Sequence, residues 1–154
     1  MKQVIRVGSR YIIAIVFIFS GFVKCVDPTG TSIKMGEYLS AFGMDFLIPL
    51  TMLMSIVMCG AELLVGLMLL FKIKAEWAIW GAVAMMVFYT PLTLWLAISN
   101  KVTDCGCFGD ALVLTNWQTF LKNLILDVFI VFLFLFRKQY KNRLKQAIQL
   151  YGAA

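Results

Sequence analysis

Residues 46–71 read FLIPLTMLMSIVMCGAELLVGLMLLF, an apolar stretch in which Glu62 is the only charged residue. Its only hydroxyl side chains are one Thr and one Ser. A helix needs about 20 apolar residues to cross a bilayer. Three further stretches of this kind lie at about 7–26, 77–98 and 117–136. The chain is 62% hydrophobic and 14% charged, whereas soluble domains are about half apolar and a quarter charged. The sequence therefore predicts an all-α membrane protein, a four-transmembrane-helix bundle forming a single domain over residues 1–154.

The segment between the first two spans predicts a short interfacial helix. Residues 27–30, Asp-Pro-Thr-Gly, are typical of a turn, after which Thr31 or Ser32 can cap a helix that ends at Gly43. Four apolar residues fall at the spacing i, i+3, i+4 and i+7 and form one stripe: Met35, Tyr38, Leu39 and Phe42. The alternative is a loop with hydrophobic anchors.

The distribution of Lys and Arg predicts the topology. Ten of these residues lie on one side of the four spans, and four lie on the other: Lys24, Lys34, Lys101 and Lys122. The basic side is usually cytoplasmic, so we expect both termini in the cytoplasm and the loop after the third span outside. We expect the side chains of Lys24 and Lys122 to snorkel to the headgroups. The basic run at 137–143 indicates contact with anionic lipid in preference to nucleic acid.

The loop before the fourth span carries two cysteines one residue apart, Cys105 and Cys107, within TDCGCFGD at 103–110. A disulfide across so short a span is strained, and strained, exposed disulfides are the labile, oxidising ones. The predicted location outside the cytoplasm favours disulfide formation. The chain has no histidine, which excludes Cys-His nucleophiles and the usual catalytic zinc sites. The motif is interpreted either as a redox pair or as a structural clip.

Two carboxylates lie well inside predicted spans, Glu62 and Asp127. A charge at mid-depth costs about 3 kcal/mol on insertion scales, so each should face the bundle interior or be protonated. Asn123 lies one helical turn before Asp127 and can hydrogen-bond to it. These groups are interpreted either as a proton-relay pair or as polar contacts between helices.

Cys25 and Pro91 are further candidates for a role near the cysteine loop. Cys25, at the outer end of the first span, can resolve a mixed disulfide or clip that span to the loop. Pro91 interrupts the third span and predicts a kink that opens a cavity near Tyr89, Pro91 and Lys122.

The remaining cysteine, Cys59, is interpreted as a packing residue. No metal site is assigned. A minor alternative is copper handling, because soft sulfur ligands suit Cu(I) and four such residues cluster on the second span: Met52, Met54, Met58 and Cys59.

Three stretches together carry a resemblance to a known family. Residues 17–24, FIFSGFVK, and residues 60–67, GAELLVGL, resemble the first two spans of DoxX-like membrane proteins. The motif DCGCFGD at 104–110, followed by LTNWQ at 114–118, resembles the MauE branch of that group. Thr115 and Gln118 within it have capping-box spacing.

This resemblance implies a four-helix, redox-associated protein of the bacterial inner membrane, similar in role to a helper that handles disulfides during maturation of methylamine dehydrogenase. Together with the spacing and predicted location of the cysteines, it favours a thiol–disulfide oxidoreductase in which Cys105 and Cys107, with Cys25 assisting, exchange with a thioredoxin-like partner. Quinone is the candidate electron acceptor, although quinone-linked thiol oxidases carry CxxC. The alternative is a non-catalytic subunit or assembly scaffold of a larger envelope complex.

Overall fold

The structure is a computed structural model that describes residues 1–101, 114–138 and Gly152. Within these residues the chain forms five α-helices, which are α1 (Lys2–Val26), α2 (Pro28–Ala41), α3 (Thr51–Phe71), α4 (Ala75–Ser99) and α5 (Asn116–Leu135). A 3-10 helix, Asp45–Leu50, leads into α3 and contains Pro49.

The prediction of a four-span membrane protein is confirmed. Among the described residues, four helical segments are long and apolar enough to cross a bilayer: Gln3–Val26, Asp45–Phe71, Ala75–Ser99 and Asn116–Leu135. The first segment begins several residues before the predicted span, because the basic residues near the N-terminus continue the helix. Large apolar side chains are exposed on all four segments, as expected of surfaces that contact lipid.

The pair α1 and α3 is antiparallel and closely packed. A Cβ atom placed on Gly21 would lie 2.7 Å from the backbone nitrogen of Leu63, and one on Gly66 would lie 2.8 Å from the backbone nitrogen of Ile18. Small residues let membrane helices approach closely and gain van der Waals contact. These two glycines therefore set the distance between α1 and α3 and fix their register.

The pair α4 and α5 is also antiparallel, and polar side chains connect it. Thr90 Oγ1 donates to Asp127 Oδ2 at 2.7 Å, and Asn116 Nδ2 donates to the carbonyl oxygen of Leu96 at 3.3 Å. The predicted capping box at the start of α5 is confirmed, since Thr115 accepts from the backbone of Gln118 and Gln118 accepts from the backbone of Thr115. A turn at 72–74 joins α3 to α4.

The predicted helix between the first two spans is present as α2, but the expected cap at Thr31 or Ser32 is wrong. Asp27 is the N-cap, because its side chain accepts from the backbone N–H of Gly30 at 3.0 Å. Pro28 then occupies the first helical position, where a missing N–H is harmless. Residues that were interpreted as a turn therefore form the first turn of the helix.

The apolar stripe of α2 faces the bundle. Leu39 is buried, and the ring of Phe42 stacks on Trp95 of α4 with 4.3 Å between the ring centroids. The hydroxyls of Ser32 and Thr51 lie 2.9 Å apart and connect α2 to the start of α3. These contacts place α2 beside the C-terminal end of α4, at the end of the bundle that is called the α2 end below.

Candidate functional site

A buried ion pair joins α1 to α3. Lys24 Nζ lies 2.8 Å from Glu62 Oε2, and both side chains are 5% exposed. Ser20 Oγ donates to the same carboxylate oxygen at 3.3 Å. The expectation that Lys24 snorkels to the headgroups is therefore wrong, because an interior carboxylate offers it a closer partner.

The helical spacing explains how these groups meet. Ser20 and Lys24 are four residues apart on α1, so both project from one face of that helix. This face lies against α3, where Gly21 allows the backbones to approach. A buried ion pair gains net free energy only when geometry and added hydrogen bonds offset the desolvation cost. The Lys24–Glu62 pair with Ser20 is called the ion-pair site below.

A small cavity of about 20 Å³ adjoins the ion-pair site. A volume of this size is enough for about one water molecule. Lys122 and Asn123 of α5 reach this cavity from the opposite side, and Lys122 is half-buried there. The cavity therefore gathers polar groups from three helices in the bundle interior.

Tyr89 of α4 completes this polar region. Lys24 Nζ lies 5.2 Å from the centroid of the Tyr89 ring, within the range of a cation–π contact. The Tyr89 hydroxyl is buried close to Glu62 but makes no hydrogen bond of standard geometry within the described part of the chain. A buried hydroxyl of this kind has capacity for a further polar partner.

A second, larger cavity of about 530 Å³ lies between α2, α3 and α4 at the α2 end. Its walls are mainly apolar and aromatic, and they include Met35, Tyr38, Leu39, Phe42, Met44, Met54, Met58, Val87, Phe88, Pro91, Leu92 and Trp95. Lys24 and Tyr89 line both cavities. This larger space is called the α2 cavity below.

The cavity residues named from the sequence divide between the two spaces. Pro91 lines the α2 cavity, Lys122 lines the small cavity, and Tyr89 lines both. Pro91 lies within α4, which continues through it from Ala75 to Ser99.

Asp127 and Asn123 are not joined to each other by the hydrogen bonds that the structure shows. Asp127 accepts from Thr90, and Asn123 Nδ2 donates to Thr93 Oγ1 at 3.2 Å. Asn123 is buried and Asp127 is half-buried. Asp127 and Asn123 of α5 therefore each pair with a threonine of α4. Glu62 pairs with Lys24 of α1.

The cysteines divide into two groups. Cys105 and Cys107 lie outside the described residues. Cys25, near the end of α1, is exposed, and Cys59 of α3 is 1% exposed. In the register of α1 against α3, with Gly21 against Leu63 and Ile18 against Gly66, Cys25 lies opposite Cys59.

The sequence pattern predicted an interior position for Glu62 but neither its partner Lys24 nor the position of Cys25 opposite Cys59. The available signal was the spacing of Ser20 and Lys24 on one helical face. No group of three or more His, Cys, Asp or Glu side chains is arranged to hold a metal ion among the residues that the structure describes. Of the residues named for copper handling, Met54 and Met58 line the α2 cavity.

Comparison with known proteins gives one family. No curated protein and no solved structure shows a significant match to the chain. The family described as "Methylamine utilisation protein MauE" matches residues 1–136, which is most of the sequence and includes all four membrane-spanning helices. The chain is therefore a multi-pass membrane protein that belongs to the MauE family.

Proposed function

We propose that the protein is a thiol–disulfide redox protein of the bacterial inner membrane. In this proposal Cys105 and Cys107 exchange with a thioredoxin-like partner outside the cytoplasm, with Cys25 assisting. Membership of the MauE family supports a membrane-bound accessory role. The ten-to-four distribution of basic residues supports an orientation that exposes the cysteine loop to an oxidising compartment.

The observation that carries the proposal is the α2 cavity beside the start of the cysteine loop. Trp95 lines this cavity, and Lys101 Nζ lies 5.8 Å from the centroid of the Trp95 ring. Lys101 precedes Cys105 by only four residues in the sequence. The described chain therefore reaches a wall residue of a ligand-sized cavity four residues before Cys105.

The residues of the α2 cavity fit a quinone. Ligand pockets have volumes of about 300–1,000 Å³ and combine apolar walls with a few polar groups. Here aromatic and methionine side chains would hold the ring and tail, and the Lys24 ammonium and the Tyr89 hydroxyl could donate hydrogen bonds to a carbonyl oxygen. When bound, a quinone would supply a two-electron, two-proton acceptor.

The proposed exchange balances with this acceptor. A dithiol of the partner reduces the Cys105–Cys107 disulfide, so the partner gains a disulfide and this chain gains two thiols. When bound, a quinone would accept two electrons and two protons from these two thiols, and the disulfide would re-form. Gly106 would allow the loop to accommodate both states without movement of the flanking helices.

The test is a measurement of the redox potential together with trapping of the partner. Equilibration of the purified protein in glutathione buffers, followed by alkylation of free thiols, should give a potential on the order of −200 mV, since labile pairs are more oxidising than structural disulfides. The Cys25→Ser, Cys107→Ser variant, which lacks both thiols that could resolve the adduct, should retain a partner as a mixed disulfide on Cys105. The Cys105→Ser, Cys107→Ser double variant is the matched control and should retain none.

A potential below about −300 mV, in the range of structural disulfides, would contradict the proposal. If the double variant also lost assembly but no electron transfer, the two cysteines would be a clip. The protein would then be a non-catalytic subunit or scaffold.

A further inference from the structure

The register of α1 against α3 places two cysteines opposite each other. Gly21 lies against Leu63, and Ile18 lies against Gly66. Cys25 follows Gly21 by four residues, whereas Cys59 precedes Leu63 by four residues. A helix completes a turn in about 3.6 residues. One turn along this antiparallel pair therefore brings Cys25 face to face with Cys59.

The separation of the two helices suits a covalent link. A disulfide requires Cα atoms about 4.4–6.8 Å apart. The glycine contacts bring the α1 and α3 backbones close together one turn away, where a Cβ on Gly21 would lie 2.7 Å from Leu63 N. The close approach continues one turn beyond the cysteines, where Ser55 Oγ of α3 donates to the carbonyl oxygen of Pro28 at 3.2 Å.

The two cysteines differ in the way that disulfide exchange requires. Cys25 is exposed and accessible to an external disulfide, whereas Cys59 is 1% exposed. Cys59 precedes Glu62 by three residues on α3, so it lies about one helical turn from the Lys24–Glu62 ion pair. The pair therefore combines an accessible thiol with a protected one beside the ion-pair site.

We propose that Cys25 and Cys59 are a second redox dithiol, which closes into a disulfide between α1 and α3 by exchange with a protein or small-molecule disulfide. This pair shares Cys25 with the function proposed above but does not include Cys105 or Cys107, and the proposal does not rest on that function. The observation behind this proposal is a buried cysteine that lies opposite an exposed one across a close helix interface.

The exchange proceeds in two steps. The Cys25 sulfur attacks the external disulfide, which forms a mixed disulfide and releases one half of the reagent as a thiol. The Cys59 sulfur then attacks the Cys25 sulfur, which forms the Cys25–Cys59 bond and releases the other half. The two cysteine sulfurs are oxidised, the external disulfide gains two electrons, and the two cysteine protons end on the two released thiols.

The experiment uses oxidised glutathione on the full chain in detergent micelles, in a Cys105→Ser, Cys107→Ser background. We expect two glutathione thiols to be released per chain, the mass of the chain to fall by two hydrogens, and both cysteines to become resistant to alkylation until a reductant is added. In the unmodified chain, mass spectrometry of proteolytic fragments should identify the same Cys25–Cys59 disulfide. This second measurement tests the proposal even if the Cys105→Ser, Cys107→Ser variant does not fold.

The matched control moves the exposed thiol by one residue. Cys25→Ser with Val26→Cys rotates it about 100° around α1, away from Cys59, onto a position that is 69% exposed. This variant should retain glutathione as a stable mixed disulfide. A stable glutathione adduct on Cys25, two thiols that remain alkylatable, or closure in the control as efficient as in the parent would each overturn the proposal.

Discussion

The ion pair between Lys24 and Glu62 is the residue-scale feature with the largest expected effect on stability. Glu62→Gln leaves the Lys24 ammonium buried without its counter-ion. Loss of one partner of a buried pair costs about 3–5 kcal/mol. We expect a decrease of this size in the free energy of unfolding, measured by denaturant titration in detergent micelles. Lys24→Met combined with Glu62→Gln should recover most of the loss, because no uncompensated charge remains.

The exposed pair Lys34–Glu37 is the matched control. Its charged atoms lie 3.1 Å apart on α2, and its side chains are 24% and 43% exposed. Exposed helical pairs contribute about 0.3–0.5 kcal/mol, so Glu37→Gln should have little effect. Equal losses for Glu62→Gln and Glu37→Gln would show that water or lipid headgroups reach the ion-pair site.

The sequence identified Glu62 as an interior group but not its partner. An acidic residue in the middle of a span has no route to the headgroups, so its depth alone predicts an interior position. Lys24 lies near the end of α1, where its long side chain can reach either the membrane surface or the interior. Whether the Lys24 side chain points to the surface or to the interior depends on the partner that α3 presents, and only the packing of the two helices determines that partner.

At the scale of elements, the α1–α3 contact depends on glycine at two positions. Gly21→Ala would place a methyl group 2.7 Å from a backbone atom of α3. Backbone cannot move aside as a flexible side chain does, and overpacking costs typically about 1–3 kcal/mol. We expect a loss of this size in the same unfolding measurement. The Cys25–Cys59 disulfide should also form less readily, because the helices are forced apart.

Gly60→Ala provides the control within the same pair of helices. A Cβ on Gly60 meets nothing within 4 Å. Glycine inside a helix is destabilising by roughly 0.5–1 kcal/mol relative to alanine, so this change should be neutral or stabilising. A loss for Gly60→Ala that matched the loss for Gly21→Ala would mean that backbone conformation, not contact distance, explains both.

The start of α2 shows why element boundaries were harder to predict than the elements. The sequence Asp27-Pro28 is typical both of a turn and of an N-cap followed by proline at the first helical position. The apolar stripe correctly predicted a helix, because periodicity extends over several turns. The cap is a single local choice, decided here by the hydrogen bond from Gly30 to Asp27.

At the scale of the whole molecule, composition and span length were sufficient to predict the four-span architecture. A bilayer admits few structures, because backbone polar groups must be satisfied within the segment. The α2 cavity could be predicted only in part. The sequence predicted Pro91 and Tyr89 as cavity residues, but the cavity also has walls from α1, α2 and α3, and no local sequence pattern predicts how those helices pack against α4.

The orientation of the molecule in the membrane is the prediction on which the redox proposal depends. The side with ten basic residues should be cytoplasmic. We expect Lys101→Cys, in a variant whose four native cysteines are replaced by serine, to react with an impermeant maleimide in intact spheroplasts. Ile73→Cys, at the turn between α3 and α4, should react only after permeabilisation.

Both test positions are exposed in the structure, and Ile73 has 57% of its surface accessible. A difference in labelling therefore reports the side of the membrane and not burial in the protein. The two positions lie just beyond opposite ends of α4. If α4 spans the membrane, they must lie on opposite sides and only one of them can react in intact spheroplasts. The reverse pattern would place the Cys105–Cys107 loop in the reducing cytoplasm, where a persistent disulfide is not expected, and the proposed exchange with an exported partner would be excluded.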